Sequence, residues 1–294
     1  MFEKLFKMFK RVLMTKNGEI INEEIKQNET TLEETLEYIN SLSKKALFLT
    51  RANCKTNSRF GEKPNLPNDI EWPSNENGYL TFLCQIDLSE VPTDYQSDLP
   101  EGGMLFFFYD IIEQPWGFEL SDKSCWRVIY SEKNIGELPE RGFPENFSDE
   151  AVYPRRTIAF EIDTTYPYNL SAEILSLNFN DADEEKYSDL EFQAYESRDT
   201  SHQMFGYPAI IQNDEMAEDC QYMFYKHDDI EKIKSLPKDE LENLRKGVDD
   251  WVLLLQLDSE AICWGDSGMI YFWIRKQDLK ARNFENVWLH LQCY

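Results

Sequence analysis

The residue types that most often bind metals or act as nucleophiles are sparse and widely spaced in this chain. It has six cysteines, Cys54, Cys84, Cys125, Cys220, Cys263 and Cys293, and three histidines, His202, His227 and His290. No two cysteines have the spacing of a metal knuckle or a redox pair, and no histidine lies three or four residues from another. We therefore expect reduced cysteines in the core, and neither a metal nor another cofactor.

The densest acidic stretch runs over residues 181–191 and carries carboxylates that would suit calcium. An EF-hand loop starting at Asp181 would place Lys186 at the turn glycine and Phe192 at the closing glutamate. The spacing thus predicts a solvated acidic loop and not a calcium site.

The tetrapeptide Gly265-Asp266-Ser267-Gly268 is similar to the nucleophile motif of trypsin-like serine proteases. That chemistry needs a histidine base oriented by a buried aspartate, and none of the three histidines lies in a recognisable base motif. Phosphate-binding loops, dinucleotide fingerprints and zinc-protease helix motifs are missing from the sequence. Catalytic residues therefore stay unknown, and the sequence favours a protein that is not an enzyme.

Three short landmarks occur twice in the same order. Phe60-Gly61, Leu83–Asp87 and Gly103–Phe108 are followed later by Phe205-Gly206, Leu254–Asp258 and Gly268–Trp273, at offsets of 145 to 171 residues. This internal similarity predicts two β-rich halves, about 46–130 and 157–294, related by a pseudo-two-fold and sharing one core.

The polar residues of these landmarks have two possible roles. They either satisfy buried backbone groups at the strand ends or, in two symmetric copies, face a shared cleft with an aromatic wall. The candidate ligand-binding residues are Arg59, Trp72, Gln85, Asp87, Gln256, Asp258, Trp264 and Asp266.

The elements that would position these residues are mostly strands. Thr31 and Glu34 have capping-box spacing and open a predicted helix that runs to about Leu47, and further helices are predicted over 229–234 and 238–246. Strands are predicted over 105–109, 126–130, 157–162, 251–257, 269–274 and 287–291, with residues 131–154 as a connector. The pattern indicates an α+β fold, a β-rich single domain of mainly antiparallel strands with an N-terminal helical region.

Charge is distributed unevenly along the chain. Residues 1–16 carry a net charge of +4 and the apolar spacing of an amphipathic helix, whereas residues 17–294, the predicted single domain, carry −29. Such a basic helix suits weak contact with an anionic membrane surface, a partner groove, or the acidic body of the chain itself.

The overall charge of −25 argues against nucleic-acid binding, because phosphate neutralisation needs clustered basic residues. No stretch has the length of a membrane span, and no secretory signal is recognisable at the N-terminus. We expect a soluble, cytoplasmic protein.

A set of short sequence words resembles the YwqG-like family of bacterial proteins, a domain of unknown function. Ser58-Arg59-Phe60-Gly61 with Pro64, Leu66-Pro67, Trp72-Pro73 and Gln85-Ile86-Asp87 carry the likeness, together with Trp264-Gly265-Asp266, Gly268 and the ending from Trp288 to Tyr294. Glu62 stands where members often have a second glycine. The resemblance implies a single α+β domain from about residue 30 to the end, and it implies no activity, cofactor or site residue.

Two functions remain open. The first is a non-catalytic binding module of the immunity or adaptor type, whose acidic surface meets a basic protein partner, because a strong field selects oppositely charged proteins. The alternative is an enzyme or small-ligand binder with its site between the two halves.

Overall fold

The computed structural model describes residues 30–226 and 228–294. The basic segment predicted over residues 1–16 and His227 lie outside these ranges. The helices described are α1 (Leu32–Leu42), α2 (Ala172–Leu175), α3 (Asp181–Glu196), α4 (Met216–Lys226), α5 (Ile230–Lys234), α6 (Lys238–Leu244) and α7 (Lys276–Lys280). Short 3-10 turns occur at Leu88–Glu90, Leu120–Cys125, Ile135–Glu137, Asp149–Ala151, Val248–Asp250 and Phe284–Asn286.

Twelve strands are present in this part of the chain. They are β1 (Lys44–Arg51), β2 (Arg59–Phe60), β3 (Ser74–Asn75), β4 (Gly78–Tyr79), β5 (Thr81–Asp87), β6 (Met104–Tyr109), β7 (Trp126–Ser131), β8 (Arg156–Thr165), β9 (Gln203–Phe205), β10 (Trp251–Asp258), β11 (Met269–Arg275) and β12 (Trp288–Gln292). Ten of them form one sheet in the order β12-β11-β10-β9-β1-β8-β2-β5-β6-β7, and β3 and β4 form a separate hairpin. Every pairing in the large sheet is antiparallel.

The two ends of this sheet come together over one core. Phe107 of β6 meets Phe272 of β11 with ring centroids 5.4 Å apart, and Trp126 of β7 meets Trp288 of β12 at 5.3 Å. Both pairs are edge-on, the geometry that aromatic quadrupoles favour. The chain is therefore a β-rich single α+β domain, and the predicted fold class is confirmed at that level.

Helix α1 begins as the sequence predicts and ends earlier. The Thr31 side chain accepts from the Glu34 amide while Glu34 accepts from the Thr31 amide, which is the predicted capping box. The predicted extension to Leu47 is wrong, because residues 44–51 form strand β1. Its apolar run from Ala46 to Leu49 is buried on both faces of the sheet, as is typical of a central strand.

The acidic stretch at residues 181–191 is helical, which corrects the predicted loop. Asn180 caps α3 by accepting from the amides of Ala182 and Asp183, and acidic residues in the first turn favour a helix N-terminus. Tyr187 and Ala194 are buried beneath the helix. The acidic residues hid this apolar stripe in the sequence.

Most of the remaining predicted elements are present in the structure, and several elements of the structure were not predicted. The six predicted strands, the helices near 229–234 and 238–246, and the connector at 131–154 are all found, whereas α4 and the short strands β2 and β9 were not predicted. All six cysteines lie in the described ranges and are free, but Cys84, Cys220 and Cys293 alone are buried, so the predicted core location is wrong for the other three. Within residues 30–226 and 228–294, every helix is too short or too polar to cross a bilayer.

Glycine is required at Gly61 but not at Gly136, which gives a matched test of the fold. Gly61 has φ +61°, and an added Cβ would lie 2.1 Å from the Tyr153 carbonyl oxygen, whereas nothing lies within 4 Å at Gly136. We expect Gly61→Ala to reduce the free energy of unfolding by about 3 kcal/mol, measured by urea denaturation, because left-handed strain adds to a backbone clash. Gly136→Ala should change it by less than about 0.5 kcal/mol, and equal effects would contradict the geometry at Gly61.

Candidate functional site

Gln85 and Gln256 hold the loops beside the two shortest strands of the large sheet. Both residues are fully buried. The Gln85 carboxamide accepts from the Asn65 amide at 2.9 Å and donates to the Asn57 carbonyl at 2.9 Å, which ties together the chain on either side of β2. Each amide thus satisfies backbone groups that would otherwise be buried without partners.

Gln256 makes the corresponding bonds around β9. Its Oε1 accepts from the Ala209 amide at 2.9 Å, and its Nε2 donates to the Ser201 carbonyl at 2.6 Å. The two glutamines therefore have the same structural task at two places in the sheet.

Asp87 and Asp258 follow these glutamines at the strand ends and bind local backbone. The Asp87 carboxylate accepts from the Ser89 amide at 3.0 Å and caps the turn that follows, while Asp258 Oδ2 accepts from the Ser201 amide at 2.9 Å. Their own amides also have related acceptors, since Asp87 N donates to Ser58 Oγ and Asp258 N donates to His202 Nδ1, each at 2.9 Å.

The remaining candidates lie in different surroundings. Arg59 is buried and donates to the Gly61 carbonyl and to Asn65 Oδ1. Trp72 donates to the Leu80 carbonyl in a separate apolar cluster, and Trp264 donates to the Asp258 carbonyl in the main core.

Asp266 is exposed, and its carbonyl accepts from the Tyr294 amide. The structure brings some of the candidates together. Arg59 and Gln85 both bond to Asn65. Gln256 and Asp258 both bond to Ser201, and the Asp258 carbonyl also accepts from Trp264.

A cluster that the sequence did not single out lies where the two halves of the sheet meet. We call it the junction cluster and define it as Tyr153, Arg156, His202 and Glu260 with the ring of Phe60. The Phe60 ring centroid lies 5.0 Å from that of His202 and 6.3 Å from that of Tyr153. The other neighbour of Tyr153 is Trp264, whose ring stacks on it with an interplanar angle of 4°.

His202 is locked in one neutral form. Its Nδ1 accepts from the Asp258 amide, so the ring proton is on Nε2. Burial, with a smaller effect of the Arg156 charge, lowers the pKa of His202 to about 3. The imidazole is therefore an uncharged donor at neutral pH, and its Nε2 lies 3.5 Å from Glu260 Oε2 without a hydrogen bond.

Charged groups surround the outer side of this cluster. The Glu260 carboxylate forms an ion pair with Arg156 and lies 3.9 Å from Arg51. Inside, no residue of the described ranges forms a hydrogen bond with the buried hydroxyl of Tyr153. The junction cluster thus combines one arginine, one carboxylate and two buried donors, and the exposed Arg51 lies beside it.

Sequence reasoning missed this cluster because its members are far apart in the chain. One signal was available, since His202 precedes Gln203-Met204-Phe205-Gly206 as Ser58 precedes Arg59-Phe60-Gly61. Over the described ranges, no group of three or more His, Cys, Asp or Glu side chains is arranged to hold a metal ion.

A second feature is an acidic surface formed by α1, α2 and α3. Residues 30–42 and 166–199, which contain these helices, carry twelve acidic and two basic side chains, a net charge of −10. Ile39, Ile174 and Tyr187 form the small apolar cluster beneath the layer.

The outer side of α3 has a regular pattern. Exposed residues recur at three- and four-residue spacing, which places them on one face of the helix, and they are Asp181, Glu185, Asp189, Phe192 and Glu196. Phe192 is 41% exposed, and Leu36, Tyr38 and Leu175 on the neighbouring helices are also exposed. We call this surface, with its exposed apolar residues, the acidic helical face.

Replacing a buried glutamine tests whether its role is structural. Gln256→Ala should reduce the free energy of unfolding by about 2–3 kcal/mol, measured by urea denaturation, because the Ala209 amide and Ser201 carbonyl lose their partner. Gln277→Ala, at an exposed position of α7, is the matched control and should change the free energy of unfolding by less than about 0.5 kcal/mol. Unchanged stability for Gln256→Ala would instead favour a role in ligand binding.

The pH dependence of stability tests the neutral imidazole. Because the folded pKa of His202 lies below the ordinary 6.5, its stabilising contribution is complete above pH 6.5 and is lost as the pH falls toward 3. The loss is at most about 1.4 kcal/mol per pH unit. His202→Asn keeps an acceptor for the Asp258 amide but cannot titrate.

We therefore expect His202→Asn to lose about 1–2 kcal/mol less than the parent chain between pH 6.5 and 4.5 in urea denaturation. His290, whose pKa burial also lowers to about 3, contributes equally to both proteins and cancels in the comparison. Parallel losses in the two proteins would show that His202 titrates normally.

Comparison with known proteins places the chain in a family. No curated protein matches the sequence. A family model described as a domain of unknown function, DUF1963, matches residues 58–293. That match begins at Ser58, just before β2, and extends past β12, so it includes both glutamines and the whole junction cluster. The chain belongs to the DUF1963 family.

Proposed function

We propose that this protein is a non-catalytic binding module that engages a basic protein partner through the acidic helical face. The observation that carries the proposal is the stripe on α3, where four exposed carboxylates lie on the same helix face as the exposed ring of Phe192. Carboxylates of this kind steer a cationic partner, and an exposed aromatic residue supplies apolar contact once the partner has docked.

The charges of the face are available for such a partner. Lys186 is engaged by Asp183 at 2.8 Å, and Arg198 lies near Glu161 and Asp163 at the end of the helix. No ion pair is found for Glu185, Asp189 or Glu196 among the described residues. A partner with clustered lysines or arginines would therefore meet carboxylates that need not first break an internal pair.

We infer further that the two halves are pseudo-repeats within a YwqG-like member of the family. The strand order β7-β6-β5-β2-β8 has its counterpart in β12-β11-β10-β9-β1, which supports the inference. A further support is the matching irregularity in the β5–β6 and β10–β11 ladders, where Leu83 and Leu254 interrupt the register. The equivalent bonds of Gln85 and Gln256 agree with both.

Neutralising the stripe tests the partner proposal. The variant Glu185→Gln, Asp189→Asn, Glu196→Gln removes three negative charges from one face of α3. We expect a tagged parent chain to capture a basic partner from its native cells at low salt, to lose it as salt rises, and to retain less than a tenth of it in the variant.

The matched control removes three exposed carboxylates elsewhere, with Glu76→Gln, Glu101→Gln and Glu113→Gln. It has the same net charge as the stripe variant and should keep its partner. Equal loss in both variants would show that overall charge is responsible and not this face. A partner whose capture is indifferent to salt would contradict charge as the driving force.

A further inference from the structure

The junction cluster presents hydrogen-bond donors that nothing in the described structure satisfies. His202 is 2% exposed and Tyr153 is 1% exposed, and His202 Nε2 and the Tyr153 hydroxyl have no hydrogen-bond partner. Buried donors of this kind normally bind a protein group, an ordered water or a ligand. Both flank the Phe60 ring, so they belong to one place in the fold.

Two arginines lie beside the Glu260 carboxylate of the cluster. Arg51 and Arg156 are both within ion-pair distance of Glu260, while His202 is neutral. Two cations thus meet at one carboxylate, while the nearby Asp258 carboxylate accepts from the Ser201 amide. The position beside the two arginines therefore suits a negative group.

Among the described residues, Glu260 is the one carboxylate that forms an ion pair with Arg51 or Arg156. It comes from a loop. It lies two residues after β10, in the connection to β11, and its side chain is 27% exposed. The side chain therefore covers the cluster on the solvent side. Rotation about its side-chain bonds would expose Arg156 and the imidazole of His202 to solvent.

We propose that the junction cluster is a binding site for the carboxylate group of a small organic acid, which takes the position of the Glu260 carboxylate. Arg156 forms the ion pair with the ligand, and His202 Nε2 and the Tyr153 hydroxyl donate hydrogen bonds to it. The rings of Phe60 and Trp264 line the apolar side. A carboxylate is favoured over a phosphate because the site already holds a carboxylate of the chain in the same charged surroundings.

This site differs from the cleft predicted from the sequence. Trp264 belongs to both sites, and the Asp258 amide donates to the imidazole of His202. Gln85, Gln256 and Arg59, in contrast, donate to backbone carbonyls of neighbouring loops and have a structural role. The inference does not depend on the acidic helical face, so the two proposals can fail separately.

The test removes the internal competitor from the full chain. Glu260→Ala and the parent are titrated calorimetrically with acetate, benzoate and inorganic phosphate. We expect Glu260→Ala to bind acetate or benzoate at least ten-fold more tightly than the parent, because a tethered carboxylate competes at an effective concentration in the millimolar range. Glu132→Ala, which removes a surface carboxylate paired with Arg282, is the matched control and should behave as the parent.

Further variants identify the donors. Arg156→Gln in the Glu260→Ala background should abolish carboxylate binding, and Tyr153→Phe should weaken it several-fold. If Glu260→Ala does not fold, Glu260→Gln keeps the side-chain volume without the charge. In the parent chain itself, high benzoate should shift the imidazole NMR signals of His202.

Three outcomes would overturn the proposal. They are equal carboxylate affinity in the parent, Glu132→Ala and the Glu260 variants, binding that survives Arg156→Gln, and binding of phosphate without carboxylate. Partner capture through the acidic helical face is unaffected by any of these results.

Discussion

The antiparallel ladder between β1 and β8 is the interaction on which the rest of this structure depends. Eight residue pairs, from Lys44 with Thr165 to Arg51 with Ile158, join the two halves of the ten-stranded sheet. β1 comes from the first part of the chain but also pairs with β9, and β8 pairs with β2. Each half of the sheet thus contains one strand from the other part of the chain, so neither part of the chain can form a complete half-sheet alone.

This arrangement places a special demand on the strands beside the ladder. β2 and β9 are only two and three residues long, so few ladder hydrogen bonds hold them in the sheet. The buried carboxamides of Gln85 and Gln256 supply further hydrogen bonds to the loops on either side of these strands. The residue before each strand, Ser58 or His202, also accepts a hydrogen bond from the backbone amide at the end of the neighbouring strand. The imidazole at the junction is therefore positioned by the same device that holds the fold.

Local sequence signals predicted those parts of the fold whose causes are local. The capping box at Thr31 predicted the start of α1, and aromatic runs such as Leu105–Tyr109 predicted strands. β1 was missed because its apolar run follows a helix directly, and periodicity does not distinguish a buried strand from a buried helical turn. The stripe beneath α3 was hidden by acidic residues that serve the helix N-terminus and the solvent side.

The candidate site was less accessible to prediction for a different reason. The landmarks drew attention to Gln85 and Gln256, which the fold uses for its own backbone. Tyr153, His202 and Glu260 are separated by about fifty residues each, and only the β1–β8 junction brings them together. No spacing pattern in the sequence indicates this long-range contact, although His202 directly precedes β9 as Ser58 directly precedes β2.

The position of β1 also has a consequence for synthesis of the chain. Its two sheet partners begin 105 and 152 residues after it ends. At typical translation rates of roughly 5–20 residues per second, about 8 to 30 s pass before both have been synthesised. During that time Leu47, Phe48 and Leu49 form an unpaired, aggregation-prone segment, and Lys44 and Lys45 at its start act as charged gatekeepers for the nascent chain.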